Sequence, residues 1–317
     1  MISTVKSING KLIRKEKILK KIRYIKDNYQ LYLFILPAIV LTFIFAYLPM
    51  YGIVIAFKDF NVLKGILGSP WVGFKHFERF IDSPNFMLTF KNTLLLSIYG
   101  LLWGFPAPIA LALMLNRVRS KMVKKNIQLI VYAPNFISVV VIAGMIFIFL
   151  SPVGPVNKII TAITGKTVNF MLEPSYFRTI FIASGIWQGA GWASIIYTAA
   201  LSNVSQDLID AAVIDGASIL KQIIHIDLPT IKSIMVIQFI LAAGGIMNAG
   251  GDKALLLQTA GNNPTSEVIS TFTYKIGLER ADFSYGAAVG VFNAVINVIL
   301  LVLVDQIVKR LNEGQGL

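Results

Sequence analysis

The chain has 317 residues, 56% of them hydrophobic and only 14% charged, with a mean hydropathy of +0.70 and a net charge of +13. Soluble domains carry about 25% charged residues, so this deficit places the chain among integral membrane proteins. There is no cysteine, and His76 and His225 are the only histidines, which excludes disulfides, thiol chemistry and an ordinary zinc or haem centre.

Residues 1–30 hold nine Lys and Arg. They are read as a basic cytoplasmic tail, either lying on the anionic inner leaflet or forming a flexible charged start. The apolar run that follows is too long for the core of a cleaved signal peptide. Six runs free of Asp, Glu, Lys, Arg and His come next, at 31–57, 92–116, 126–150, 179–201, 233–250 and 284–304. Each is about 18 residues or longer, enough to cross a hydrocarbon core ~30 Å thick. The expected architecture is therefore an all-α membrane protein with a six-helix domain over 31–308 and a short tail over 309–317.

With the amino terminus inside, segments 1–30, 117–125, 202–232 and 305–317 hold 18 Lys plus Arg, and the opposite loops 58–91, 151–178 and 251–283 hold 11. Acids divide 8 and 8, so the bases alone set the bias and put both termini in the cytoplasm. The basic charge is a topological signal, and no nucleic-acid partner is expected. Prolines 37, 49, 106, 108 and 134 fall inside predicted spans and imply bent helices whose freed backbone groups find partners in neighbours. Loop 58–91, with Trp71, Phe74, Phe77 and Phe80, reads as an interfacial helix with turns. Loops 151–178 and 251–283 read as further outer elements, the latter turning at Gly261-Asn262-Asn263-Pro264. The pairs Gly100/Gly104, Gly185/Gly189 and Gly286/Gly290 have the spacing that lets helices approach closely.

Between the fourth and fifth runs lies a polar, small-residue segment, 202–230. Ser202 or Ser205 can cap a helix with Asp207 in its first turn, and Ile209, Ala212 and Val213 share one face. Gly216 follows where the chain must turn, and Ser218 can cap a second helix carrying Ile219, Leu220, Ile223 and Ile224. Leu228-Pro229 is expected to end that helix. This helix–Gly–helix elbow is too polar to span. From the residues alone it is either an amphipathic loop resting on the membrane or a docking element for a soluble partner.

The pattern Asp210-Ala211-Ala212, Gly216, Ile226-x-Leu228-Pro229 resembles the EAA signature of permease subunits of bacterial ABC importers. Gly216 falls six residues after Asp210 and Ile226 ten after Gly216, as in that signature. Asp215-Gly216-Ala217 resembles the carbohydrate-uptake branch. So do Ile55-Ala56-Phe57-Lys58-Asp59-Phe60, Ser69-Pro70-Trp71-Val72-Gly73-Phe74 and Asn92-Thr93, which look most like the polysaccharide and complex-saccharide permeases. The resemblance implies a type I importer permease fold in a bacterial plasma membrane. It also implies a second homologous permease, two ATPase subunits that use ATP and Mg, and an extracytoplasmic binding protein that delivers a saccharide. By resemblance, Ala211, Ala212, Gly216 and Ala217 pack closely in a groove of the ATPase, with Asp210 and Asp215 beside them. Ile226, Leu228 and Pro229 belong to the same motif, the last two anchoring the elbow to the fifth span. Asp210 stands where the family usually has Glu, one methylene shorter. The rivals are an importer of the same kind for a peptide or metal chelate, and a stand-alone carrier or channel.

Gly165-Lys166-Thr167 resembles the end of a phosphate-binding loop, but the position five residues before Gly165 is Ile160 where that loop needs glycine. No cofactor and no enzymatic activity are expected in this chain. Spans without ionisable groups do not fit proton-coupled transport and suit a neutral or weakly charged substrate, although a second permease could add charge. Trp187, Gln188 and Trp192 combine flat apolar faces with hydrogen-bonding edges suited to a sugar. Asn248, Asn293 and Asn297 offer amides, and Tyr51 and Tyr99 hydroxyls. The competing reading of each is an interface aromatic or an interhelical hydrogen bond.

Overall fold

The computed structural model describes residues 24, 26–248 and 250–311. Most of the expected amino-terminal tail and the end of the carboxyl-terminal one lie outside the described residues. The chain divides into two units, Met1–Val54 and Ile55–Leu317. Among the described residues there is no strand beyond one isolated bridge, Lys58 to Trp71.

Within the first unit, α1 (Tyr29–Thr42) runs into a π turn, Phe43–Tyr47, where the Leu48 N–H reaches back to the Phe43 carbonyl. Pro49 follows at once. Proline has no N–H and its ring crowds the preceding turn, so widening that turn by one residue accommodates it.

In the second unit, α2 (Lys75–Ile81) precedes α3 (Pro84–Gly104), which continues through Phe105 into α4 (Pro106–Asn116). Next come α5 (Lys121–Tyr132), α6 (Val139–Phe149), α7 (Pro155–Thr164) and α8 (Pro174–Leu201). The elbow supplies α9 (Gln206–Ile214) and α10 (Ile219–Gln222), which leads into α11 (Leu228–Ala243). Toward the carboxyl end follow α12 (Gly251–Leu257), α13 (Asn263–Ser266), α14 (Ile269–Tyr274) and α15 (Phe283–Leu311).

Among the described residues, five stretches are long and apolar enough to cross a membrane: Tyr29–Phe57, Pro84–Asn116, Pro174–Leu201, Ile219–Ala243 and Phe283–Arg310. The third predicted span differs from a straight helix. Lys121–Phe136 and Val139–Phe149 meet at 99°, the geometry of a broken span or a re-entrant loop, which makes six candidate spans if the bent pair counts as one. The break follows Pro134, and Ser138 starts the new helix by accepting the Val141 N–H.

The fifth span also differs from its prediction over 233–250. Its helix ends at Ala243, because the glycines at 244, 245, 250 and 251 favour leaving it. Asn297 of α15 satisfies the freed backbone, donating to the Gly244 carbonyl at 2.6 Å and accepting from the Met247 N–H at 3.1 Å. Beyond it, the region expected as an outer loop folds back into the core. Lys253, Ala254 and Leu257 of α12 and Ile269, Thr271 and Phe272 of α14 are buried. One cluster joins Phe80, Met247, Ile269, Phe272 and Val289, and a second joins Leu96, Ala143, Phe177, Leu257 and Val268.

The glycine pairs are not uniformly helix contacts. A Cβ on Gly286 would stand 2.7 Å from the Cα of Gly277, whereas Gly100, Gly104, Gly189 and Gly290 face open space. The tightest approach involves Gly191, where a Cβ would lie 1.9 Å from the Val131 carbonyl oxygen of α5.

Candidate functional site

The elbow forms as the turn residues require. Gly216 adopts φ +74°, the Gly216 N–H bonds the Val213 carbonyl at 3.0 Å, and the Ala217 N–H bonds Ala212 at 2.9 Å. These two bonds close α9 in a Schellman motif, which needs a left-handed residue where Gly216 stands. Ser218 then caps α10 by accepting the Lys221 N–H. Ala212 and Ala217 are half-buried, while Asp210, Ala211, Asp215 and Gly216 are exposed. Gln206 donates to the Asp210 carboxylate at 2.9 Å, so Asp210 is held along its own helix. Leu208, Val213, Ile214, Ile219 and Leu220 are all more than half exposed, an unusually apolar surface for a polar segment.

Leu228-Pro229 does not end the second helix. A π turn, Ile223–Asp227, carries α10 into α11, and the Leu228 N–H bonds the Ile223 carbonyl before Pro229. This repeats the solution found at Leu48-Pro49. Ile226 is buried, and Leu228 packs on the cluster of Ile109, Ala112, Tyr197, Leu201 and Ile231.

Sequence reasoning missed the group that fastens this elbow. Asp227 is completely buried and paired with Arg117, the residue that follows α4. Arg117 also donates to the Gln222 side-chain oxygen at 2.9 Å, and the Gln222 amide donates to the Ala217 carbonyl at 3.0 Å. Arg117 had counted only as a topological charge, and Asp227 is the variable position within Ile226-x-Leu228-Pro229. The available signal was an acid next to the first apolar residue of a span.

At mid-length of α8, two adjoining cavities of about 400 and 380 Å³ share Gly100, Gly104, Pro108, Phe181 and Ala193 as walls. Asn248 lines the first, and Gln188 with Lys253 lines the second. Gln188 also donates to the Ile137 carbonyl at 3.1 Å, at the break before α6. Lys253 is 9% exposed, its ammonium donates to the Phe181 carbonyl at 2.8 Å, and it lies 4.9 Å from the Phe181 ring centre. Burial lowers its pKa to about 8. A groove of about 470 Å³ shares Ile182 and Ile186 with the second cavity and carries Tyr99, Trp103 and Arg178. Arg178 donates to the Asn92 side-chain oxygen at 3.0 Å.

The other sequence candidates are dispersed. Successive helical residues point about 100° apart, and Trp187 accordingly lines an apolar cleft with Ile142, Met145 and Phe149, away from Gln188. Trp192 meets Phe136 edge to face at 5.6 Å. The Asn293 side-chain oxygen is buried without a partner, and Asn297 is occupied by the break after α11. Tyr51 belongs to the first unit. Gly165 ends α7 in a left-handed conformation, so Gly165-Lys166-Thr167 follows a helix and does not open one as a phosphate loop does.

Comparison with known proteins places this geometry. The family described as "Binding-protein-dependent transport system inner membrane component" matches residues 104–313. The chain is 42% identical over 309 residues to the polygalacturonan/rhamnogalacturonan transport system permease protein YteP of Bacillus subtilis, covering 97% of this chain and 96% of that protein. It is 36% identical to protein LplB of the same organism, covering 91% of each. A chain in the crystal structure of a bacterial ABC transporter involved in the import of the acidic polysaccharide alginate superposes with a TM-score of 0.84 at 39% identity, covering 92% of this chain and 98% of that one. A chain of the alginate transporter in complex with a periplasmic protein bound to alginate pentasaccharide superposes with the same TM-score at 38% identity, covering 93% and 99%.

Proposed function

This chain belongs to the family of binding-protein-dependent transport system inner membrane components, and on that premise we propose how its elbow and cavities work. It is the membrane-spanning permease of an ABC importer for a polysaccharide or oligosaccharide, with the type I permease fold. The observation that carries this conclusion is the near-full-length likeness to saccharide permeases in both sequence and structure. One solved relative imports an acidic polysaccharide, so an anionic saccharide fits this chain as well.

The finer reading is as follows. The chain sits in a bacterial plasma membrane with both termini in the cytoplasm, as the asymmetry of Lys and Arg favours. It pairs with a second, homologous permease, and an extracytoplasmic binding protein hands the saccharide to the side opposite the elbow. Two ATPase subunits bind ATP and Mg and hydrolyse the nucleotide, and this chain holds no cofactor of its own. One of the two ATPases receives α9, with Ala211, Ala212, Gly216 and Ala217 in close contact and Val213 and Ile214 covered. Asp210 and Asp215 face its polar rim.

When the ATPases close, the elbow moves with them. Ala217 is tied through Gln222 to Arg117, and Arg117 is tied to Asp227, so a displacement at the turn reaches α4 and α11 together. Both helices contribute residues to the first cavity, Pro108 from α4 and Gln238 and Ala242 from α11. A shift of these walls would alternate access to the saccharide. Differential affinity of the ATPases for the two arrangements supplies the driving force.

Reconstitution tests the reading. Uptake into proteoliposomes should require this chain, its partner permease, the ATPases and a saccharide-loaded binding protein together. Transport by this chain without ATPase would establish a carrier or channel instead. A peptide copurifying with the binding protein would move the substrate outside the saccharides.

A further inference from the structure

The six runs carry no ionisable residue, yet the fold places a cation among them. Gly250 (φ +57°) and Gly251 turn the chain back after α11, and α12 brings Lys253 against α8 at Phe181 and Gly185. The Lys253 ammonium is 3.3 Å from where a Cβ on Gly185 would lie. An ammonium has three donors, and the one hydrogen bond found for Lys253 goes to the Phe181 carbonyl. None of the ion pairs among the described residues includes it. A buried cation without a counter-charge is costly, and intramembrane ionisable groups mark substrate pathways.

The wall around that ammonium is open. Gly100, Gly104 and Gly189 face empty space where side chains would otherwise fill the cavity. With its neighbour, this cavity falls in the size range of small-molecule sites. The adjoining groove offers Tyr99 and Trp103 as stacking surfaces with Arg178 between Ser175 and Thr179. Arg178 precedes Gly185 by seven residues, about 10 Å along α8 at the helical rise. The two cations thus stand along one continuous wall, Arg178 toward the end away from the elbow.

We propose that Lys253 binds a carboxylate of the translocated saccharide, with Arg178 as an earlier station on the same path, so that this permease selects uronic-acid-containing oligosaccharides over neutral ones. A single monovalent ammonium in an otherwise uncharged cavity matches one carboxylate on a hydroxyl-rich ring. The backbone of Gly185 keeps that ammonium accessible. The proposal rests on the reading that this chain lines a saccharide path.

The test uses the complete transporter in proteoliposomes. The probes are oligogalacturonates and oligomannuronates of a few units, together with the same oligomers after reduction of their carboxyls. Wild type should take up an acidic probe faster than its reduced counterpart. Lys253→Met should lower uptake of the acidic probe about 10- to 100-fold, the range for losing a charge-assisted hydrogen bond. Lys253→Arg should retain the preference. Copurification with the ATPases and ATPase activity without saccharide check that the variants assemble. A measurement on the wild type avoids any folding defect: the acidic probe, and not its reduced form, should slow acylation of Lys253 by an amine-reactive reagent, located by peptide mass spectrometry. Equal acylation with both probes, or wild-type uptake of the acidic probe by Lys253→Met, would overturn the proposal. Uptake of the neutral probes alone would overturn it while leaving the saccharide reading intact. No uptake of any probe by wild type would count against that reading and the proposal together.

Discussion

Removing either side of the Arg117–Asp227 pair should uncouple the transporter, and the two removals should not be equal. The Asp227 side chain is 0% exposed and its second carboxylate oxygen has no partner, whereas Arg117 is 21% exposed and keeps Gln222 as an acceptor. Breaking a buried pair costs about 3–5 kcal/mol, most of it from the charge left behind. Asp227→Asn leaves Arg117 able to turn toward solvent, so its cost should fall near ~3 kcal/mol. Arg117→Met strands a fully enclosed carboxylate and should approach ~5 kcal/mol. At 1.4 kcal/mol per tenfold, even the lower value reduces the population with a correctly seated elbow about 100-fold. The assay is ATP-driven uptake together with stimulation of the ATPase by the loaded binding protein, with thermal unfolding of the purified complex alongside. The double variant Arg117→Met/Asp227→Leu should recover stability relative to Arg117→Met, because no buried charge remains, yet stay poorly coupled. If Arg117→Met behaved like an exposed lysine replacement, or if the double variant were worse than both singles, the clamp would not be the connection argued here.

Gly216→Ala forces a Cβ into the left-handed region and should cost about 1 kcal/mol, and Gly216→Val more, while Gly216→Asn is tolerated best. Copurification with the ATPase should fall in the order Asn, Ala, Val while membrane insertion is unchanged. Equal recovery of all three would remove the elbow from docking. Gly191→Ala drives a methyl group onto the Val131 carbonyl and should separate α8 from α5, a loss on the order of 3 kcal/mol read as a lower Tm. An unshifted Tm would mean that the helices move apart freely. Lys253 is an ammonium below its lowered pKa of about 8, so uptake of an acidic oligosaccharide should be high below pH 8 and decline above it, and Lys253→Arg should flatten the decline. Of the helices packed on α12, α6 has no titratable group, α14 has Tyr274, and α8 has Tyr176, Arg178 and Tyr197. None of these tyrosines lines the second cavity.

Much of the molecule was legible because its signals are local. Apolar runs mark spans through the cost of burying charge in hydrocarbon, and the helix–Gly216–helix elbow follows from capping and the one residue that takes positive φ without strain. The resemblance carried by Asp210-Ala211-Ala212, Gly216 and Leu228-Pro229 identified the family, and the comparisons bear that out. Errors arose where the backbone took a path that residue patterns do not record, through a widened turn, a break or a distant partner. The helix persists through Leu228-Pro229 because a π turn widens it, the fifth span stops at Ala243 because Asn297 satisfies its carbonyl, and the third span bends by 99° beyond Pro134.

The sequence by itself determined the class of machine through the resemblance its elbow motif carries, and the apolar runs and the turn at Gly216 through hydropathy, periodicity and residue-level stereochemistry. The tertiary structure alone decided that Arg117 meets Asp227, 110 residues later, and that Lys253 leaves its expected loop to stand beside Gly185. Both are pairings of charge with an environment built by other helices. No local pattern records such a pairing, because its energy exists only once those helices have excluded water from around it.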